Sequence, residues 1–417
     1  MTVNITADLK VLKSACPRLT QLDQGDIDAI LKAVAVAIRA GEALILEANA
    51  QDLARMDRAD PKYDRLLLNA KRIADLAAAV EHVADLPSWL GLTLEEKDLP
   101  SGLHLRKVSV PMGVVGMIYE ARPNVTVDAF ALCFKSGNAV ALKGGKEASF
   151  SNQALVTCIK SVLARHGLAD AILLLPTERE YLGEILRAVD YIDVLIPRGS
   201  NALIQFVRDN ARVPVIETGA GVVHVYYDLE ADFHKGKPIV ENSKTRRVSV
   251  CNALDTLLVH RERLGDLPGL LEGTIRDKNV VVFADDRAYA ALAATYPADL
   301  LAHAQETDFG LEFLDYKMAI KTVDSLEAAL EHIAAHGSRH SESIVTENAA
   351  TAAAFGQQVD AAVVYVNAPT SFTDGGEFGM GAEIGISTQK LHARGPFAMR
   401  ELTTYKWLVH GNGQVRP

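Results

Sequence analysis

The sequence predicts an α/β protein with two parallel sheets, a helical N-terminal segment and a small arm. From residue 113 onward short apolar runs alternate with helical segments, a pattern typical of parallel sheets that helices cover on both faces. The chain has 417 residues, of which 49% are hydrophobic and 23% charged, as in ordinary globular proteins of two or three domains. We therefore expect two α/β domains.

The N-terminal 90 or so residues predict packed helices. Apolar residues recur there at helical spacing in IDAILKAVAVAIRA and RIADLAAAVEHVADL. Polar and apolar residues then alternate through LEEKDLPSGLHLRKVSVPMG, on both sides of a turn at Pro100, Ser101 and Gly102. This second pattern predicts a two-stranded arm.

Two series of apolar runs predict the two sheets. The first series comprises GVVGMIYE, AVALKGG, AILLLP, DVLIPRG and VPVIE. The second comprises HVYYD, ALDTLLVH, NVVVFADD, YKMAIKTV, SIVTEN and AAVVYVN, each followed by a helical segment. From about residue 370 the chain is rich in glycine, which favours loops over regular structure.

Composition and charge exclude several classes of protein. A formal net charge of -10 argues against a nucleic-acid surface, which relies on excess Lys and Arg. No apolar run approaches the roughly 20 residues that span a bilayer. The first residues carry charges where a signal peptide needs an apolar stretch, and four irregularly spaced cysteines make no disulfide framework. We expect a cytoplasmic protein without a membrane span.

Charged and polar residues follow the predicted strands of the first sheet. Ligands of open parallel sheets bind beyond the carboxyl ends of the strands, so these positions are the candidate site. They are Glu120, Arg122, Asn124, Lys143, Lys146, Arg198 and Glu217. The dinucleotide fingerprint GxGxxG is missing, since TGAGVV offers only a lone Gly-x-Gly that any turn could supply.

Cys251 allows two interpretations. A lone cysteine ahead of a strand is commonly a small buried hydrophobe, but Arg246 and Arg247 add positive charge that would favour a nucleophilic thiolate. Cys133 and Cys158 lie on apolar helical faces and are expected to be structural. The histidines show neither HExxH nor paired CxxC spacing, so no metal site is expected.

Longer strings carry a family resemblance. VPMGVVGMIYEARPNVTVDAFALCFKSGNAVALKGGKEA, IETGAGVVHVYYD, SVCNALDTLLVH and GISTQKLHARGPFAMRELTTYKW occur in this order. Together they resemble the gamma-glutamyl phosphate reductase family of the aldehyde dehydrogenase superfamily. The resemblance implies an aldehyde-dehydrogenase-like fold whose five-stranded Rossmann variant lacks the glycine fingerprint.

The resemblance also implies a division into domains. Residues 1–91 and 112–228 would form the NADP-binding domain, and residues 229–370 a second α/β catalytic domain carrying Cys251. Residues 92–111 and 383–417 would form an oligomerisation arm and tail. A homo-oligomer is therefore expected. An association with glutamate 5-kinase, to hand over a labile acyl phosphate, is a further expectation.

The implied reaction is the NADPH-dependent reduction of L-glutamyl 5-phosphate to L-glutamate 5-semialdehyde with release of phosphate, the second step of proline biosynthesis from glutamate. Cys251 would form a thioester, and the Asn124 side chain with the Cys251 backbone N–H would stabilise the oxyanion. From local sequence alone, Asn124 is equally well explained as a helix N-cap. A rival function is oxidation of a free aldehyde with NAD and water, and another is a catalytically silent relative.

The remaining candidates follow from the same resemblance. Glu217 stands where the related aldehyde dehydrogenases carry the glutamate that activates water; because a reductase should avoid hydrolysis, we expect it to orient ligands. Lys146 stands where NAD-preferring members place a glutamate, so we expect NADP(H). The cofactor would contact Lys143, Lys146, Gly199, Ser200, Glu217 and Glu312. Anionic substrate groups in a protein of this charge require a local basic pocket, with candidates Arg122, Arg247, Lys390 and Arg394.

Overall fold

The structure is a computed structural model that describes residues 4–58, 60 and 63–416. The helices are α1 (Ile5–Leu19), α2 (Gln24–Ala40), α3 (Glu42–Leu53), α4 (Tyr63–Leu66), α5 (Ala70–Asp85), α6 (Pro123–Lys135), α7 (Ser149–Leu163), α8 (Leu182–Ile185), α9 (Asn201–Asn210), α10 (Phe233–Thr245), α11 (Leu267–Leu271), α12 (Thr274–Asp277), α13 (Asp286–Leu292), α14 (Leu326–His336) and α15 (Ala349–Gln358).

The strands are β1 (Thr93–Asp98), β2 (His104–Pro111), β3 (Val114–Tyr119), β4 (Ala139–Lys143), β5 (Ile172–Leu174), β6 (Val194–Arg198), β7 (His224–Tyr227), β8 (Thr256–His260), β9 (Val281–Ala284), β10 (Leu301–His303), β11 (Lys317–Val323), β12 (Ser341–Val345), β13 (Val363–Val366), β14 (Gly385–Ser387), β15 (Gly395–Phe397) and β16 (Thr403–His410). β14 and β15 pair as a two-stranded sheet.

The chain divides into two compact units. The first unit comprises residues 1–218, 380–385 and 397–417, and the second comprises residues 219–379 and 386–396. Each unit contains one parallel sheet. The functional boundary expected at 228/229 stays a prediction.

The sheet of the first unit has the strand order β5-β4-β3-β6, with all neighbours parallel. β3 and β4 are buried along their whole length, which explains their nearly continuous apolar sequences. The fifth predicted strand, VPVIE, is reduced to a single bridge between Val215 and Leu195. Pro214 has no N–H to donate, so the ladder cannot continue through that residue.

The helical prediction for the N-terminal segment is confirmed. The two periodic stretches fall in α2 and α5, which pack on each other and bury residues at helical spacing. Asp23 and Asn69 cap these helices, because each side chain accepts a backbone N–H of the first turn. α1 packs on β4, so this segment covers the sheet of the first unit.

The predicted arm has three strands instead of two. β1 and β2 pair antiparallel as expected, but β16 pairs antiparallel along the whole of β2. The prediction of loops for the tail was therefore wrong in this segment. The sequence TTYKWLVH is polar and apolar without strict alternation, since both of its faces are largely exposed.

The sheet of the second unit has seven parallel strands in the order β10-β9-β11-β8-β7-β12-β13. Neighbouring residues of one strand enter opposite cores: Val225 and Tyr227 join one hydrophobic cluster, and Tyr226 joins the other. Both faces are thus covered, as predicted. The sequence did not reveal β10, whose three residues are too few for a periodic signal. Among the described residues, no helix has the length and apolar character needed to cross a bilayer.

Candidate active site

Cys251 lies in a turn between α10 and β8 and is partly buried. The next residue holds this turn through its side chain and its backbone. The Asn252 side-chain amide donates to the carbonyl oxygens of Ser371 (3.3 Å) and Thr373 (3.0 Å). In return, the Thr370 hydroxyl donates to the Asn252 carbonyl over 2.8 Å. The turn is therefore held by a loop distant in sequence, while its thiol stays outside the buried core.

The other cysteines differ in exposure. Cys133 and Cys158 are buried on α6 and α7, as expected for structural residues. Burial raises the pKa of both thiols, so they stay protonated and unreactive. Cys16 is partly buried, and burial also raises its pKa.

Glycine 221 makes room for the cysteine turn. A Cβ added at Gly221 would lie 1.6 Å from the Cys251 carbonyl oxygen, so the two backbones are in direct contact. The Gly221 N–H donates to Oε1 of Glu312 over 3.0 Å. Burial raises the pKa of Glu312, and this hydrogen bond partly offsets the effect. The second unit thus brings Glu312 to the glycine that contacts Cys251.

Two buried residues of opposite charge, Lys244 and Asp255, lie in the same region. Lys244 is fully buried and its Nζ donates to the Leu254 carbonyl over 3.0 Å. Asp255 accepts the N–H of Phe313 at 3.0 Å and that of Val223 at 3.4 Å. Burial lowers the pKa of Lys244 and raises that of Asp255, and the opposite charge of each partner offsets part of the shift. Asp255 therefore links the segment around Glu312 to Val223, the residue just before β7.

Asn124 lies in the first turn of α6 with an exposed side chain. The N-cap interpretation was wrong: Arg122 occupies the N-cap, and Pro123 is the first helical residue. The Asn124 amide instead donates to Oδ2 of Asp128, one turn along the helix, over 3.1 Å. Arg122 is partly buried at this helix start. Asn124 and Asp128 are thus hydrogen-bonded to each other in the N-terminal half of α6.

Gly199 and Ser200 precede α9. Ser200 is the N-cap, and its hydroxyl accepts the Leu203 N–H. Glu120 follows β3 and accepts the backbone N–H of Ser200 at 2.9 Å. A Cβ at Gly199 would approach the Glu120 carboxylate to 2.8 Å. A negative group thus already lies at this helix N-terminus, where the dipole favours anions.

Lys143 and Lys146 have different environments. Lys143 ends β4, is buried, and donates to the Thr177 carbonyl over 2.8 Å. Burial lowers its pKa, and the nearby carboxylates of Glu147 and Glu178 oppose that shift. Lys146 is exposed, and its carbonyl accepts a hydrogen bond from Arg55. Of these two lysines, Lys146 keeps its ammonium group in solvent.

Glu217 belongs to the first unit and is partly buried. The Arg208 guanidinium on α9 donates to its Oε1 over 3.4 Å. The Glu217 carboxylate is thus ion-paired with Arg208. The expectation that Glu217 orients ligands stays a prediction.

The basic candidates of the tail share one acidic partner. Asp360 lies 2.6 Å from the Arg394 guanidinium and 3.0 Å from Lys390 Nζ, while Arg339 approaches it at 3.9 Å. The hydrogen bonds and charges of Arg394 and Lys390 hold the pKa of Asp360 below its usual range. Arg247 lies in the loop between α10 and Cys251 with an exposed side chain. Lys390 and Arg394 therefore lie together beside Asp360 in the second unit. Arg247 is not in this group and lies four positions before Cys251 in the sequence.

Comparison with known proteins supplies the family. Gamma-glutamyl phosphate reductase from Pelodictyon phaeoclathratiforme is 57% identical to the chain over 418 residues, covering 100% of each. No protein-family model matches the chain. The chain belongs to the gamma-glutamyl phosphate reductase family.

Solved structures agree with this family. The crystal structure of gamma-glutamyl phosphate reductase from Thermotoga maritima matches with a TM-score of 0.94 and 40% identity, covering 99% of each chain. A probable aldehyde dehydrogenase from Listeria monocytogenes matches with a TM-score of 0.68 over 97% of this chain and 96% of its own, at 15% identity that shows the fold alone. The predicted family, the aldehyde-dehydrogenase-like fold and the class of oxidoreductase are confirmed.

Three residues that contact candidate site residues were missed from sequence. Gly221 was discounted as an ordinary turn glycine, although its close approach to Cys251 excludes any side chain. Asp128 was not singled out, and its spacing of four from Asn124 was the available signal. Asp360 stands alone in sequence, and no local pattern linked it to the tail cations.

Proposed function

We propose that this family member reduces L-glutamyl 5-phosphate to L-glutamate 5-semialdehyde with NADPH, releasing phosphate. The observation that carries the proposal is Cys251, a partly buried thiol in a turn fixed by Asn252 and by contact with Gly221. A cysteine held in a fixed turn and only partly buried is suited to acyl transfer, because thiolates are good nucleophiles and thioesters are readily reduced.

In the proposed reaction, the Cys251 sulfur attacks the acyl carbon, and the carbon–oxygen bond to phosphate breaks. The nicotinamide cofactor, when bound, supplies the hydride that reduces the thioester. The Asn124 amide and the Cys251 backbone N–H donate to the oxygen that becomes negative in each tetrahedral state. The sulfur–carbon bond then breaks, which releases the aldehyde and restores the thiolate.

The chain has groups that fit the cofactor. The start of α9 offers backbone N–H groups and the positive end of a ten-residue helix to a pyrophosphate. Glu120 accepts a hydrogen bond from one of these groups, the Ser200 N–H. We propose that this hydrogen bond breaks when the cofactor binds, so that the Ser200 N–H can donate to the pyrophosphate. Glu312 is a partly buried carboxylate suited to ribose hydroxyls. The exposed ammonium of Lys146 would meet the 2'-phosphate of NADPH, with Lys143, Gly199 and Glu217 in the remaining cofactor contacts.

The substrate phosphate and carboxylate would be bound by Arg122, Arg247, Lys390 and Arg394. Lys390 and Arg394 carry two positive charges against the single carboxylate of Asp360, so this cluster retains positive charge for an anion. We further propose a cytoplasmic homo-oligomer acting in proline biosynthesis, and an association with glutamate 5-kinase.

The test is the reverse reaction, in which glutamate 5-semialdehyde and NADP+ yield NADPH. We expect turnover only when phosphate or arsenate is present, because one of these must attack the Cys251 thioester. Turnover that proceeds equally well without phosphate would identify a hydrolytic aldehyde dehydrogenase and contradict the proposal.

A further inference from the structure

The carboxylate of Asp128 lies one helical turn from the proposed oxyanion donor. Both residues belong to α6, and Oδ2 of Asp128 accepts the Asn124 Nδ2–H over 3.1 Å. Asn124 and Asp128 are four positions apart in the sequence, so their side chains lie on the same face of the helix. When the acyl oxygen of a substrate contacts Asn124, the Asp128 carboxylate therefore lies within a few ångströms of the neighbouring substrate atoms.

Asp128 has no paired cation in the part of the chain that the structure describes. Among the described residues, none of the ion pairs within 4 Å includes Asp128. Arg198, whose charge acts on Asp128, donates to the Ile384 carbonyl. Burial raises the pKa of Asp128 to about 6, against the stabilising effects of Asn124 and Arg198. A partly buried carboxylate without a direct ion-pair partner is destabilising, and a bound cation would reduce that cost.

The proposed substrate carries such a cation at the required end. In a glutamyl group three carbon–carbon bonds separate the acyl carbon from the α carbon, roughly 4 Å when extended. The α-ammonium group hangs from that α carbon. With the acyl oxygen at Asn124, an ammonium group therefore comes within reach of a carboxylate on the same helix face.

We propose that Asp128 binds the α-ammonium group of the substrate and thereby selects amino-acid acyl groups over acyl groups that lack an amine. This inference rests on the proposed function. It assigns Asp128 a direct contact with substrate, in addition to its hydrogen bond with Asn124. A purely positioning role would affect every acyl substrate equally, which makes the two roles separable.

The experiment compares two aldehydes in the reverse reaction with NADP+ and phosphate. One is L-glutamate 5-semialdehyde, and the other is 5-oxopentanoate, which has the same carbon chain without the amine. The variant is Asp128→Asn, which keeps the shape and an acceptor oxygen for Asn124. Because part of the semialdehyde cyclises through its own amine, variant and wild type are assayed on the same substrate solution.

We expect Asp128→Asn to lower kcat/KM for the semialdehyde roughly ten- to hundredfold, the size of one charge-assisted contact. The value for 5-oxopentanoate should change less than about twofold. Asp128→Glu, which keeps the charge, should retain more of the selectivity than Asp128→Asn. Asp75→Asn on α5, an exposed carboxylate of the same unit, is the matched control and should leave both values unchanged.

An equal fall for both aldehydes would overturn the inference and leave Asp128 as a positioning residue for Asn124. An unchanged selectivity in Asp128→Asn would overturn it as well. In both cases wild-type turnover with phosphate keeps the proposed function intact. A wild-type protein that turns over neither aldehyde with phosphate would instead refute the proposed function, and the inference with it.

Discussion

Gly221 and Cys251 are in backbone contact, so that a Cβ on Gly221 would lie 1.6 Å from the Cys251 carbonyl oxygen and 2.8 Å from its Cα. Real Cβ atoms do not approach backbone this closely, and backbone cannot swing aside as the end of a flexible side chain can. The Gly221 N–H also binds Glu312. One glycine thus sets the position of the cysteine turn and of a candidate cofactor residue.

Gly221→Ala should therefore impair activity more than any other single methyl group added to this region. We expect a fall in kcat/KM of at least about a hundredfold, because displacing a reacting atom by 1 Å can cost that much. Stability should fall by about 1–3 kcal/mol, as for overpacking. The control is Gly356→Ala in α15, where nothing lies within 4 Å of the added Cβ, and which should be neutral or slightly stabilising. Steady-state kinetics and thermal unfolding measure both effects.

Cys251→Ala should abolish turnover while the protein stays folded. Without sulfur the thioester cannot form, and the partly buried site loses little packing. Cys16→Ala is the control, since Cys16 is also partly buried but burial raises its pKa. Circular dichroism should show the native fold in both variants. Retention of even a tenth of wild-type activity by Cys251→Ala would sink the assignment.

All strands of the two parallel sheets except β10 could be predicted, chiefly because burial leaves apolar runs in the sequence. β3, β4 and β8 are buried at every residue, and their sequences carry little else. β16 escaped prediction since it is held by backbone pairing to β2 and exposes most of its side chains. A strand without a buried face leaves no period-two signal.

Candidate site residues could be predicted where their role depends on the type of side chain. They were missed where the role depends on a contact between segments that are distant in sequence. Cys251 and Asn124 were predicted through strings shared with a family, and their roles stay predictions. Gly221 was missed because its role depends on a turn thirty residues away in sequence that only the fold brings near. Asp360 was missed for the same reason, as its partners lie in the tail.

Lys146→Glu should lower the preference for NADPH over NADH. A lysine attracts the 2'-phosphate and a glutamate repels it, so the ratio of the two kcat/KM values should fall about ten- to hundredfold. Lys146 is exposed, which leaves its ammonium available to the cofactor. Lys71→Glu on α5, also exposed, makes the same charge change and should keep the wild-type ratio. An unchanged ratio in Lys146→Glu would remove Lys146 from the cofactor site.

The three-stranded arm should form a subunit interface. Tyr405, Trp407 and Val409 on β16 are 52%, 40% and 51% exposed, and β16 is an edge strand of its sheet. Exposed apolar groups on an unpaired edge favour pairing with another chain. We expect a homo-oligomer in light scattering at micromolar concentration, and dissociation on Trp407→Glu. Val415→Glu, at a residue 87% exposed, should leave the assembly intact. A monomeric wild-type protein would contradict this prediction.

His340 should make the protein less stable in acid. It is fully buried, its Nδ1 and the Ser341 hydroxyl are hydrogen-bonded at 2.8 Å, and among the described residues its Nε2 has no partner. Burial lowers the pKa of His340 to about 4, below its ordinary value of 6.5. Between about pH 6.5 and pH 4, His340 is therefore protonated in the unfolded chain but neutral in the folded chain. The free energy of unfolding consequently falls as pH drops through this range. His340→Asn should lose this part of the pH dependence, whereas His303→Asn, at an exposed residue, should keep it. Urea unfolding at several pH values measures the difference, and parallel curves for wild type and His340→Asn would show that His340 does not contribute.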